Sequence, residues 1–476
     1  MKFVLSIFLI FSLALKSQSY NYYFGNLHSH TGFSDGNKDS AATGVTKPDG
    51  SYAYAKQSLN FDFLGISEHN HYSSLRNPGF KLPRYQEGLN MADAANQEGI
   101  FLALFGMEYG VSSGNNGHVI VYGFNQLIGW ETNISGQQGN NYDIYNAKND
   151  YDGLFKKINK NPNAFAYLAH PYWTDFTRDG NDSTAIAFSN YNATYDSAIV
   201  GVPLRSGNAF SVFDDYSDYS TGDYFNYYKK MLYLGYHLGI GYDHDNHYTN
   251  FGRSNGGRLV VIAPSLTRAN LTTAMRNMNF YGSDDSNVKV EFTMNGNIMG
   301  SIVSGNYFPS FNIVHNDPDG ENADTIRIWR GYKNSGGLWA QIMNTSVNGN
   351  AMQFTDPSIQ PNIEYFYFAE IRQSDRQWIV TSPIWYKAST ELSVKNNSTQ
   401  LKHLVFPNPA VHELSICVEQ NDGSQILIQD LTGRTVYQSI LKEKNLIIDT
   451  SLFQKGLYTL TIKSEVGIVS KKIVIE

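Results

Sequence analysis

One cysteine, Cys417, stands in the whole chain. No disulfide can close within it, and thiolate catalysis and cysteine-rich zinc sites are excluded. Any metal must therefore be held by His, Asp and Glu. Basic residues are short too: 36 Lys and Arg face 43 Asp and Glu, giving a net charge of -7 with no cationic run. A broad basic face for duplex nucleic acid is thereby excluded. A small phosphorylated substrate stays compatible, because bound metals supply local positive charge. Past residue 20 no apolar run approaches the ~20 residues that cross a bilayer. Tandem repeats are absent, and so is low-complexity sequence outside the polar stretch 387–403.

What is present is a globular composition, 41% hydrophobic and 14% aromatic, with 33 tyrosines. At 476 residues it predicts two to four domains. The first 19 residues read as a signal peptide: Lys2, an apolar run over 3–15, then Ser17 and Ser19 as small cleavage-site residues. The mature protein is expected outside the cytoplasm.

Residues 20–285 alternate short apolar runs with amphipathic stretches. "FDFLGIS", "IFLALFG", "GHVIVYGF", "AFAYLAH" and "YHLGIGYD" read as strands; 83–99, 151–160 and 224–235 read as helices. That alternation predicts an α/β fold on a parallel sheet, open or closed as a barrel. Residues 286–390 change to short, aromatic-rich alternating strands, predicting a small β-sandwich. A linker over 391–402 leads to a second small all-β block at 403–476.

Nine of the twelve histidines lie between residues 28 and 247, beside carboxylates. His28, His30 and Asp35 follow "YYFGNL"; Glu68, His69 and His71 follow "FLGIS"; Glu108 follows "LALFG". His118 opens "GHVIVYGF", His170 ends "AFAYLA", and Asp243, His244, Asp245 and His247 follow "YHLGIG". In a parallel α/β sheet the C-terminal strand ends share one rim, where active sites are built. One histidine after a strand is ordinarily a capping residue; a whole series at successive strand ends is a ligand set. His71, one turn too late, and His237, mid-strand, are set aside as structural, and His315 has no partner pattern. Asp243 and His244 compete with Asp245 and His247 at this point. Imidazole and carboxylate donors suit Zn, Mn or Fe, and their number implies two or three ions.

"NLHSHTGFSDG", "FLGISEHNH", "GMEYG", "GHVIVYGF", "LAHP" and "DHDNH" resemble, in this order, the motifs of the PHP (polymerase and histidinol phosphatase) superfamily over residues 22–285. The resemblance implies a distorted (βα)7 barrel with a multinuclear metal site at its C-terminal rim and phosphoesterase activity. It implies His28, His30, Asp35, His69, Glu108, His118, His170, Asp245 and His247 as ligands, favouring Asp245 and His247 over their neighbours. Glu68 stands where the superfamily has aspartate. Glu68, Asp243 and His244 are the candidate general acids, and Arg205 and Arg253 the candidate phosphate clamps. An amide or carbamate hydrolase, and an inactive secreted binding protein, are the competing expectations.

"LVFPNPA", "ILIQDLTGR", "KGLYTLTI" and "KKIVIE" resemble the C-terminal sorting domain of the type IX secretion system. That implies a signal peptide for the inner membrane, this tail for the outer one, and the outer-membrane secretion machinery as a partner.

Overall fold

The computed structural model describes residues 20–476 except 73–79, 112–115, 174, 177–189, 207–222, 250–255, 390–402, 419–422, 431–433, 442 and 465–466. The signal peptide, the linker and Arg253 thus lie outside the described residues. Among the described residues no helix is long and apolar enough to cross a membrane. The chain divides into two compact units, Met1–Leu392 and Ser393–Glu476.

The first unit is built on strands β1 (Asn21–Asn26), β2 (Phe63–His69), β3 (Leu102–Tyr109), β4 (His118–Tyr122), β5 (Phe165–Ala169), β6 (Ile199–Ser206), β7 (Gly239–Asp243), β8 (Arg258–Ala263) and β9 (Phe280–Ser283). Between them run helices α1 (Pro48–Ser58), α2 (Leu82–Ala95), α3 (Tyr151–Asn159), α4 (Ala193–Ala198), α5 (Tyr224–Leu234) and α6 (Arg268–Arg276). α3 shows why such segments fold. Tyr151, Leu154, Phe155 and Ile158 repeat on one face and are buried, while Asp150 caps the start by accepting from Gly153 N at 2.7 Å. Each buried side chain of that size contributes about 1.5–3 kcal/mol.

β1, β2 and β3 are parallel, β4 is antiparallel to both β3 and β5, and β5, β6 and β7 are again parallel. Six strands therefore end at one edge, and reversed β4 begins there. The sheet curves until the segment after β7 meets the segment after β1: His30 N donates to Asn246 O at 2.9 Å, and Ser29 bridges Asn246. Tyr122 fills the concave side, its hydroxyl donating to Leu27 O at 2.8 Å. A Cβ on Gly65 or Gly106 would come within 2.3 Å or 2.8 Å of that tyrosine, so both neighbouring strands need glycine there.

The pairing does not show the closed (βα)7 barrel expected. β4 runs backwards, and the free edge of β1 is taken by antiparallel β8, which pairs with antiparallel β9. The architecture is a strand-rich mixed α/β one.

The sheet then runs on through the next region, whose strands are β10 (Lys289–Met294), β11 (Ile302–Gly305), β12 (Ser310–Asn316), β13 (Ala323–Tyr332), β14 (Gln341–Val347), β15 (Ala351–Thr355), β16 (Glu364–Gln373), β17 (Trp378–Thr381) and β18 (Ile384–Ala388). β17 pairs β9 directly, Tyr281 opposite Thr381. A second layer of β10, β12 and β15 completes a sandwich. The boundary expected at 285/286 is thus no break between compact units. β8 supplies the reason: Leu259, Val261 and Ala263 join the core of the first region, while alternate Val260 and Ile262 join the core of the sandwich.

The second unit is, as expected, all-β. A three-stranded sheet contains Glu413–Val418 and a four-stranded one contains Gln425–Asp430 and Gly456–Ser464. Alternating Leu414, Ile416, Ile426, Ile428, Leu460 and Ile462 form their shared core.

Candidate metal centre

The strand edge described above gathers all nine candidate ligands. His30, Asp35, His69 and His247 form one group, His28, His170 and Asp245 a second, and His69, Glu108 and His118 a third, donor atoms within each lying within 4.8 Å of one another. Glu108, fully buried at the end of β3, is the hub. Its Oε1 lies 2.7 Å from His118 Nδ1, 3.1 Å from His170 Nε2 and 3.2 Å from His28 Nε2. Its Oε2 lies 2.8 Å from His69 Nδ1 and 3.4 Å from His30 Nε2. Asp245 Oδ1 reaches His28 and His30 at 3.2 and 3.3 Å, and Asp35 Oδ1 reaches His247 and His69 at 3.2 and 3.5 Å.

Reversal of β4 decides His118. It sits at the start of its strand, opposite Ala169, and so beside His170. Strand periodicity offered no sign of that reversal. Two ligands also carry left-handed backbone, His170 at φ 29° and Asp245 at φ 44°. Such conformations cost about 1–3 kcal/mol and persist at functional sites.

A divalent ion fits this donor set. Two pairs of ring nitrogens face each other at 3.3 Å, His28 with His30 and His118 with His170. Donors on one tetrahedral ion at ~2.1 Å stand roughly 3.4 Å apart, close to the 3.2 and 3.5 Å from Asp35 Oδ1 to His247 and His69 and the 3.2 Å from Asp245 Oδ1 to His28. Buried His30 Nδ1 and His118 Nε2 have no hydrogen-bond partner. The charges are frustrated in the same way. Burial alone would raise the Glu108 carboxyl, but His118, His69 and His28 outweigh it and hold the carboxyl well below its usual range. Burial would lower His69 and His170, yet Glu108 and the nearby aspartates push both up to about 9. His30, buried and facing His247 and His69, falls to about 3. Protons on imidazoles thus stand in for cations, and metal ions would displace them.

Second-layer contacts aim the ligands. His28 Nδ1 lies 3.3 Å from Asp243 Oδ2, which turns Nε2 toward Glu108. The ring of His247 is set by Nδ1 against Asp245 O at 2.9 Å. Glu68 is fully buried and accepts from Thr31 N at 3.0 Å and from the Thr31 and Ser34 hydroxyls. It clamps the loop that carries His30 and Asp35. Burial lifts its carboxyl to about 7 against those hydrogen bonds.

Four expected catalytic roles are corrected. His244 Nε2 hydrogen-bonds Gly257 O at 2.8 Å and its ring packs against Phe61 and Tyr242, so it serves the core. Asp243 and Glu68 are tied up behind the ligands. Arg205 is no phosphate clamp: its Nε and Nη2 donate to Asp284 at 2.6 and 2.9 Å in a buried bidentate pair. That partner lies 79 residues away in sequence and left no local trace. His237 is structural as expected, bonded to Asp196 and Glu364 at 3.0 and 3.1 Å, while His71 stacks on Trp130. Asp175 was missed. Its Oδ2 accepts from Tyr172 N at 2.8 Å, burial lifts its carboxyl to about 6, and His170 is the cation acting on it. A lone aspartate five residues past a ligand, with no motif around it, gives no signal in sequence.

Comparison with known families matches the Secretion system C-terminal sorting domain to residues 404–476. The tail is a sorting domain. It marks the protein for export across the outer membrane, to the surface or beyond, and makes the type IX secretion machinery its partner. This sorting domain is the second compact unit described above. No curated protein matches the chain. Among solved structures, PorZ of Porphyromonas gingivalis is 17% identical over 23% of this chain and 15% of its own, with a TM-score of 0.16. The fibronectin(III)-like modules of Clostridium thermocellum CbhA are 11% identical over 39% of this chain and 92% of theirs, TM-score 0.14. Chicken CNTN1 FN1–FN3 domains are 13% identical over 36% and 65%, TM-score 0.15. The chain spans only that 15% of the PorZ structure, and at these scores nothing about function follows.

Proposed function

We propose that the exported protein is a metal-dependent phosphoesterase of the PHP type, its β1–β7 an opened form of that superfamily's distorted barrel. The observation that carries the reading is the convergence of five imidazoles on Glu108, within a set of nine donors drawn from six separate chain segments. Zn, Mn or Fe ions, two or three per chain, would supply Lewis acidity toward a phosphoryl group and a lowered pKa for water at the site. His30, Asp35, His69 and His247 would hold one ion, His28, His170 and Asp245 another, and His69, Glu108 and His118 a third, His69 being common to two of the groups.

The remaining residues hold this arrangement in place. Asp243 fixes the His28 tautomer, and Glu68 anchors the loop of Thr31 and Ser34. Asp175, whose carboxyl burial lifts to about 6 with the charge of His170 acting on it, is the candidate donor of a proton to the leaving oxygen at mildly acidic pH. The substrate is a small phosphomonoester or phosphodiester. The test is turnover of p-nitrophenyl phosphate and bis-p-nitrophenyl phosphate by protein loaded with Mn or Zn. Turnover abolished by H30A supports the proposal. Hydrolysis of neither ester, with amide or carbamate esters cleaved instead, replaces it with carbonyl chemistry on the same ligands.

A further inference from the structure

A second group of donors lies in the sandwich, away from the nine ligands and made of oxygen alone. Asp285, Asp317 and Glu321 bring carboxylate oxygens within 4.8 Å of one another. Asp285 follows β9, and the other two lie on the turn between β12 and β13 with Asp319 between them. Gly320 takes φ 88° there, which lets the turn fold its alternate carboxylates inward. A cavity of about 280 Å³ opens beside Asp285, Asp319, Glu321 and Gln377, roomy enough for water.

Buried polar atoms around this group have nothing to bond. Gln373 is 2% exposed; its amide nitrogen reaches Asp317 Oδ2 at 2.7 Å and Asp285 Oδ2 at 3.4 Å, yet its carbonyl oxygen has no partner. Both ring nitrogens of His315, also 2% exposed, lack partners, and Asp317 and Asp285 are the charges acting on that ring. Among the described residues no Lys or Arg forms an ion pair with Asp285, Asp317, Asp319 or Glu321.

We infer that Asp285, Asp317 and Glu321 form a calcium site, the buried Gln373 amide turning over to present its unpartnered carbonyl in place of the nitrogen that faces Asp317 and Asp285. Oxygen donors of this kind, mostly carboxylate, flexible and part open to water, suit Ca²⁺ better than Zn or Mg²⁺, which demand nitrogen donors or a tight octahedron. Extracellular modules of this sort bind at about 10⁻⁴–10⁻³ M, so the site would fill after export. It would tie the β12–β13 turn to the corner after β9. Asp284, in that same corner, holds Arg205 and accepts from Trp378 N. Calcium would thus brace the strand wall shared by sandwich and metal-centre regions.

The test uses the full chain, stripped with chelator and titrated with Ca²⁺ alone, followed by calorimetry and thermal melting. The double variant D317N/E321Q should bind Ca²⁺ at least about tenfold more weakly and lose the calcium-induced rise in melting temperature. With chelator present it should melt no lower than the parent, because the substitutions relieve repulsion. E108Q, altered only at the other centre, should keep the calcium response. The inference is overturned by a parent chain unresponsive to about 10 mM Ca²⁺. Equal responses from parent and double variant, or a response lost in E108Q, overturn it as well.

Discussion

Replacing Glu108 with Gln keeps the shape of the side chain and removes its charge at the one point where five of the candidate imidazoles meet. Each Glu108 oxygen serves at least one ion position, Oε1 toward His118, His170 and His28 and Oε2 toward His69 and His30. A contact to a charged partner is worth about 1.5–3 kcal/mol, so losing two costs about 3–6 kcal/mol. At 1.4 kcal/mol per decade that is roughly a 10²–10⁴-fold loss of metal affinity. Calorimetry with Mn²⁺ under chelator competition, and metal content after dialysis, read this without reference to any substrate. Proton release gives an independent readout. His69 and His170, held near 9, are charged at neutral pH and must shed protons as the metal enters. E108Q removes the anion that keeps them charged, so the number of protons released on loading should fall. That number comes from titrations in buffers of different ionisation enthalpy. An E108Q protein that is folded by circular dichroism and binds Mn²⁺ within about threefold of the parent would refute the hub.

R205A strands the buried carboxylate of Asp284 and should cost about 3–5 kcal/mol in urea unfolding. A loss below about 1 kcal/mol would contradict the bidentate pair as drawn. The His237 contribution depends on pH. Burial lowers this imidazole, but Asp196 and Glu364 outweigh it and raise it to about 9 from 6.5. The stabilisation is complete below about pH 6.5 and lost as pH rises through about 9. After allowance for the partial exposure of the pair, H237Q should cost about 1–2 kcal/mol at pH 6 and little at pH 10. A cost independent of pH would remove the charge from the explanation. Deleting residues 404–476 should leave the protein in the periplasm, as fractionation would show; unaltered export would contradict the role of the sorting domain.

Composition and order alone determined a good deal. A single cysteine forced any metal onto His, Asp and Glu, and the placing of those residues at strand ends pointed to the cluster, while the family resemblance favoured Asp245 and His247 over their neighbours. Period-two alternation found the tail sheets, and helical spacing found α3. These signals are local, carried by neighbours two to four positions apart. Tertiary structure decided the rest, because the deciding partners are distant in sequence. The direction of β4 brought His118 beside His170, and a carboxylate 79 residues away claimed Arg205. One strand, β8, feeds two cores with its alternate residues, a sharing that no local pattern shows. His28 and His30 could be read as ligands from "HSH", but only the curvature of the sheet set Glu108 between them and His118.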